Sequence, residues 1–382
     1  MKNGGTDILI VGAGVYGLAC AWSMASRRTG ARITVLDAGE FAGGASGRNG
    51  AGFRAQWGLE LNIRLCLESI AFFENAAERL GYPDGIDLKQ GGYLALSHSE
   101  RTRGILESCL PLQHQFGVKS EMLDPDDCVR MVPALRRDRL TGGSFCATDG
   151  TISPFRWLDA LLTAARREGA DVRYGVRVDR ISRVAGRFEV QAGAERFEAD
   201  KVLLCTDWEV PTLLKPLGVD LPVGALAKEV VVTAPCAPMI GPIVLSLVHT
   251  MAVNQVERGN IVFTVARARE DPVTRSSPDF LNFAAARIVD LVPGAAEIPV
   301  VRTWGGVSSL TPDMQPLLGE TEVEGLYVAV SSYRGLMTSP AVGRMMASLI
   351  LDGDTNDPLL NQLSPYRFRA VRAIVEPLVI QE

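Results

Sequence analysis

At 382 residues the chain is too long for one small core and long enough for two domains. Hydrophobic residues make up 47% and charged residues 22%, so a large core can be buried. The net charge of −5, with Lys and Arg scattered, argues against nucleic acid or an anionic membrane as the main partner. Seven cysteines without a C-x-x-C pair read as reduced thiols of a cytoplasmic protein. Residues 1–7 are polar and are not expected to belong to a signal peptide, and no apolar run approaches the roughly eighteen residues of a spanning helix.

Residues 7–11 (DILIV) form a β-branched run that predicts a buried parallel strand, followed by a helix over 18–26 and a second strand over 32–37. Helices are expected at 60–80 and 100–116, with a strand at 91–96 between them. Ser153-Pro154 reads as a cap with proline in the first turn, opening a helix over 154–168. Strands are expected at 171–181, 188–192 and 201–205, and several short ones in the Val/Ile/Thr-rich stretch 221–265. A helix at 280–291, a strand at 326–330, a turn at Gly335 and a helix over 340–351 complete the chain.

Strands and helices alternate at both ends and a β-rich stretch lies between them. The expected fold is therefore α/β (α+β): a discontinuous Rossmann-like domain with an inserted, largely antiparallel β-sheet domain for substrate. The first takes residues 1–89, 143–215 and 308–382; the second takes 90–142 and 216–307.

Gly12, Gly14 and Gly17 stand as G-x-G-x-x-G between a strand and a helix. The first glycine suits a tight turn, the second close approach to a pyrophosphate, the third close packing of helix on strand. The helix start offers free N–H groups and a positive dipole end to phosphates. Asp37 follows Gly17 at about the spacing where an acid meets ribose hydroxyls. This unit serves NAD or FAD equally.

Two further stretches narrow the choice. Residues 43–52 (GGASGRNGAG) are so rich in glycine that they are expected to hug a flat ring with a diphosphate tail. At the other end, 325–337 (GLYVAVSSYRGLM) is a strand, a turn and a helix start that can direct a dipole at a reduced, anionic ring. With GGYLAL at 91–96, Asp149-Gly150, RTWGGVSSLTPDMQPLLG at 302–319 and YRGLMTSPAVG at 333–343, the motif order resembles the D-amino-acid-oxidase superfamily of FAD-dependent oxidoreductases. The resemblance is strongest to β subunits of heteromeric L-proline dehydrogenase and sarcosine oxidase.

That resemblance implies non-covalent FAD contacted from Gly12, Gly14, Val15, Tyr16, Gly17, Asp37 and Ala38, and from Gly44, Ser46, Arg48, Asn49, Gly50 and Gly52. It adds Val178, Thr206, Asp207, Trp208, Gly305, Arg334, Gly335, Leu336 and Met337. It places Arg54 where relatives bind a substrate carboxylate, a task for which a guanidinium fork is well shaped. Arg334 and Tyr333 are the other catalytic candidates, and Tyr93, Trp57 and Trp304 are candidate pocket walls.

Departures from the family pattern are specific. No cysteine stands near Trp304-Gly305-Gly306, Met337 occupies the place of a second basic anchor, Arg334 that of a histidine, and Ser308 that of an arginine. Thr206 and Asp207 replace the usual small-residue turn. His98, His114 and His249 lie in no flavin motif and read as structural. No metal site is expected.

The expected activity is FAD-dependent oxidation of a secondary α-amino acid to an imine, in a catalytic subunit that passes electrons to a partner chain. A self-sufficient oxidase and a non-catalytic FAD-bound assembly module are the alternatives. Proline, hydroxyproline, sarcosine and opines are not ranked by the sequence.

Overall fold

The architecture comes from a computed structural model that describes residues 6–265, 275–354, 356–370 and 373–378. Residues 1–5, most of the expected polar lead-in, lie outside that range. The β-branched run near the N-terminus forms the strand Ile8–Val11, buried throughout. It pairs in parallel with Ile33–Leu36 on one side and Lys201–Leu204 on the other. Leu326–Val330 and Asp171–Arg173 extend the parallel sheet, and Leu317–Glu320 closes one edge antiparallel. One sheet thus collects strands from far-separated segments.

Successive side chains of these strands point to opposite faces, and both faces are covered, so the strands are apolar throughout. Ile8, Ile10, Val35 and Leu203 pack under the helices Val15–Ala25, Pro154–Arg167 and Gly335–Asp352. Leu9, Val11, Leu36 and Leu204 face a small antiparallel sheet of Arg180–Val184, Arg187–Ala192 and Glu195–Ala199.

An eight-stranded sheet runs in the order Val300–Leu310, Gly224–Pro235, Asn260–Val265, Met251–Gln255, Ile243–Ser246, Tyr93–Ser97, Gly142–Cys146 and Glu121–Leu123. Its pairs are antiparallel except Ile243–Ser246 against Tyr93–Ser97. One face sends Leu94, Leu96, Val231, Val244 and Phe263 into a core with the helix Pro278–Leu291. The other sends Tyr93, Lys228, Val230, Ile243 and Thr264 toward a cavity.

Several expectations are corrected. The stretch 171–181 divides between two sheets, because Gly175 turns at φ +73 and its N–H donates to the Gly39 carbonyl. The expected helix 60–80 is broken after Glu74 and resumes at Ala76–Arg79. The last long helix begins at Gly335, with Pro340 inside it rather than at its start. Proline has no N–H for the Leu336 carbonyl, and Ser339 Oγ donates to that carbonyl instead at 2.9 Å. Boundaries expected at 142/143 and 307/308 fall within the strands Gly142–Cys146 and Val300–Leu310.

All seven cysteines are free. Among the described residues no helix is long and apolar enough to cross a membrane, and no cluster of His, Cys, Asp or Glu could hold a metal ion.

Candidate functional site

The first turn after Ile8–Val11 is built on glycine. Gly12 has φ +104, and a Cβ there would lie 2.5 Å from the Cys205 carbonyl oxygen. A Cβ on Gly17 would lie 1.8 Å from the Gly12 carbonyl oxygen, so helix Val15–Ala25 sits close on the turn. Gly14 is its N-cap and has no side chain to satisfy the first amides. Ser46 Oγ, arriving from the glycine-rich segment, accepts from Val15 N–H at 3.0 Å. Asp37 follows the strand Ile33–Leu36 and accepts from Ala13 N–H at 2.7 Å and Gly39 N–H at 2.8 Å.

The segment 43–52 is held in shape by its own side chains. Arg48 Nε donates to the Gly43 carbonyl at 3.0 Å and Nη1 to the Gly305 carbonyl at 3.2 Å. Trp304 Nε1 donates to the Arg48 carbonyl at 3.3 Å. Asn49 Nδ2 donates to the Ser46 carbonyl, and its Oδ1 accepts from Ala51 N–H. The loop is therefore clipped to the edge strand Val300–Leu310.

Asp207 is a second clip. At φ +55, its carboxylate accepts from Ser309 N–H, Ser309 Oγ, Ser331 N–H and Ser331 Oγ, all at 2.5–3.1 Å. It joins the ends of three segments at the start of helix Gly335–Asp352. Four donors converge on this acid.

These pieces enclose a cavity of about 870 Å³, near the top of the usual range of about 300–1,000 Å³ for ligand sites. It has room for an extended dinucleotide and a small molecule beside it. Every expected site residue lines it except Gly17 and Gly305. Gly17 serves helix packing. Gly305 pairs with Glu229 while Gly306 pairs with Lys228, so alternation along the strand turns Gly306, not Gly305, to the cavity. Trp57 and Tyr93 are walls as expected, but Trp304 is not. Met337 lines the cavity and packs on the helical core.

Part of the cavity is cationic. Arg54 is 7% exposed, with its guanidinium 3.8 Å from the centre of a Trp57 ring. Arg334 is 1% exposed and lies 4.5 Å from a ring of Trp57 and 5.2 Å from that of Tyr333. Its Nη1 donates to Gln315 Oε1 at 3.0 Å, while Nε and Nη2 have no hydrogen-bond partner among the described residues. Lys228, which the sequence did not single out, puts Nζ 4.3 Å from the Tyr333 ring centre.

Burial pushes the Lys228 amine below the usual lysine range, and neighbouring Arg334 adds to the effect. Burial alone would raise the Tyr333 phenol, but Arg334, Lys228 and Arg54 together hold it below its ordinary value. Asp149 is fully buried beside this segment. It accepts from Ala55 N–H at 2.7 Å and from Gln56 Nε2 at 3.3 Å, and burial pushes its carboxyl up to about 6.

The histidines stay out of the cavity. His98 contacts the Arg139 carbonyl and Ser246 Oγ, His114 the Ser120 carbonyl, and His249 Asp290.

A model of the DAO family, described as FAD dependent oxidoreductase, matches residues 7–349. The chain belongs to the DAO family. As a member it is an FAD-dependent oxidoreductase. The beta chain of sarcosine oxidase from Rhodobacter capsulatus is 22% identical over 97% of this chain and 90% of its own length. An opine oxidase chain of Agrobacterium tumefaciens is 25% identical, covering 96% and 99% of the two chains. The crystal structure of L-proline dehydrogenase from P. horikoshii superposes with a TM-score of 0.89 at 26% identity, over 96% of this chain and 99% of that one.

The residues fit the DAO-family cofactor. A glycine turn, a helix start whose N-cap Gly14 brings no side chain, and Asp37 suit the diphosphate and ribose, and the first turn of helix Gly335–Asp352 lines the cavity for the ring.

Proposed function

We propose that the chain oxidises the C–N bond of a secondary or N-substituted α-amino acid to an imine, as the catalytic subunit of a dehydrogenase. The observation that carries this reading is Arg54: a buried guanidinium, packed on Trp57 and lining the cavity, suits a substrate carboxylate. Held at the glycine turn, Asp37 and the first turn of helix Gly335–Asp352, FAD would supply the two-electron acceptor for a substrate whose carbon beside nitrogen gives up a hydride and whose nitrogen gives up a proton, with water hydrolysing the imine.

The protein's part is to bind, orient and exclude water. Arg54 holds the carboxylate, Trp57 and Tyr93 wall the pocket, and Tyr333 lines it beside Arg334 and Lys228. Relatives named as subunits of oxidases support an assembly of this chain with a partner chain.

One observation favours a second reading, a self-sufficient oxidase. Met337 removes one cation from the ring's surroundings, but Lys228 and Arg334 bring others into the same cavity. Positive charge stabilises the superoxide formed when oxygen is reduced, so this site does not lack that help. Turnover with an artificial dye, set against peroxide formation, separates the two. The dehydrogenase reading expects a dye rate well above the peroxide rate, and equal rates assign the oxidase.

The strand Val300–Leu310 contains no cysteine, and residues 43–56 contain no histidine. Acid precipitation of the purified protein is therefore expected to release all of the FAD into the supernatant. Flavin retained in the pellet contradicts non-covalent binding.

A further inference from the structure

Resting on the amine-oxidation reading above, we propose that this cavity is built for a secondary amine carrying two carboxylates, and that Lys228 recognises the second. Arg54 and Arg334 share the indole of Trp57, while Arg334 and Lys228 share the phenol of Tyr333. Three cations are thus linked through two aromatic rings, and all line one cavity. Among the described residues, none of the three is ion-paired.

The carboxylates nearby are already used. Asp149 accepts from the Ala55 and Gln56 amides and from Gln56 Nε2. Asp207 accepts from Ser309 and Ser331. Arg334 keeps Nε and Nη2 without acceptors, and Arg54 and Lys228 meet aromatic faces. A ring face attracts a cation but takes up few of its N–H donors. Buried donors left this way are costly until an acceptor arrives. A single carboxylate, with two oxygens, serves one guanidinium fork. A second carboxylate meets the donors left over.

Placement supports two separate anchors. Arg54 follows the short strand Gly52–Phe53, which pairs with Gly150–Thr151, whereas Lys228 stands on Gly224–Pro235 in the eight-stranded sheet, opposite Gly306. The two cations come from different walls with Tyr333 between Arg334 and Lys228. A substrate held from both walls has its amine nitrogen between two carboxylate arms. Burial disfavours the charged form of the Lys228 amine, and a carboxylate beside it favours that form.

Calorimetry on the FAD-loaded protein with two non-oxidisable ethers tests this. Methoxyacetate mimics an N-methyl amino acid with one carboxylate, and oxydiacetate mimics an imino diacid. Oxydiacetate is expected to bind about tenfold or more tighter to the wild type. Lys228→Met is expected to shrink that ratio to within about threefold, and Lys228→Arg to preserve most of it. Equal affinities in the wild type overturn the proposal. A full preference kept by Lys228→Met overturns the role of Lys228. Flavin bleaching by N-methyl amino acids together with equal ether affinities removes this inference and leaves amine oxidation standing. No bleaching by any amine removes the reading beneath it.

Discussion

Arg54→Met is expected to lower the second-order rate of flavin reduction by an amino acid about 30- to 5,000-fold while FAD stays bound. The charge is buried and lines the cavity, so truncating it removes the partner of a desolvated carboxylate, a loss of about 2–5 kcal/mol. Methionine keeps a long apolar stem against Trp57, which limits collapse of the wall. Stopped-flow reduction under anaerobic conditions reads the effect directly. A variant that loses FAD in proportion to activity would assign Arg54 a structural role.

Gly12→Val is expected to fold poorly around its first turn and to purify without flavin. Two effects act together. The residue sits at φ +104, which a β-branched side chain rarely adopts, and its Cβ would press on the Cys205 carbonyl at 2.5 Å. The atoms it would meet, of Cys205 and Thr206, are backbone and not a flexible chain end. Gly14→Val is milder in the protein itself, because the atom its Cβ meets is Ser46 Oγ at 2.9 Å, which can rotate away. Its penalty falls on the approaching pyrophosphate instead. Absorbance ratios of the purified variants, with circular dichroism as a fold check, test both. Stoichiometric flavin in a folded Gly12→Val protein contradicts the placement of the phosphate turn.

The dinucleotide half was legible because its signals are local. A β-branched run, three glycines at fixed spacing and an acid after the next strand lie within the first forty or so residues, and each has one physical reading. The strand Glu195–Ala199 escaped because it belongs to a half-exposed antiparallel sheet; only Phe197 and Ala199 are buried, and its charges resemble a loop. Pro340 gave a false helix start because Ser339 Oγ, which compensates for the missing N–H, leaves no mark in the sequence.

Lys228 was hidden for a deeper reason. In GALAKEVVVTAP a lysine at an alternating position reads as the solvated face of a strand. Only long-range pairing shows that this face, opposite Gly306 and beside Val230, lines a cavity. The same pairing turns Gly306, rather than Gly305, inward. Trp304 was misread as a wall because no local pattern shows that its indole N–H holds the Arg48 carbonyl. Side chains that meet across sheets are set by register, and register is not written in any single segment.

The most direct test of amine oxidation is anaerobic titration of the FAD-loaded protein with secondary α-amino acids and imino diacids. One equivalent of a true substrate is expected to bleach the oxidised flavin band fully, with one equivalent of imine or its hydrolysis product formed. Full FAD occupancy with no bleaching by any member of either series would contradict it.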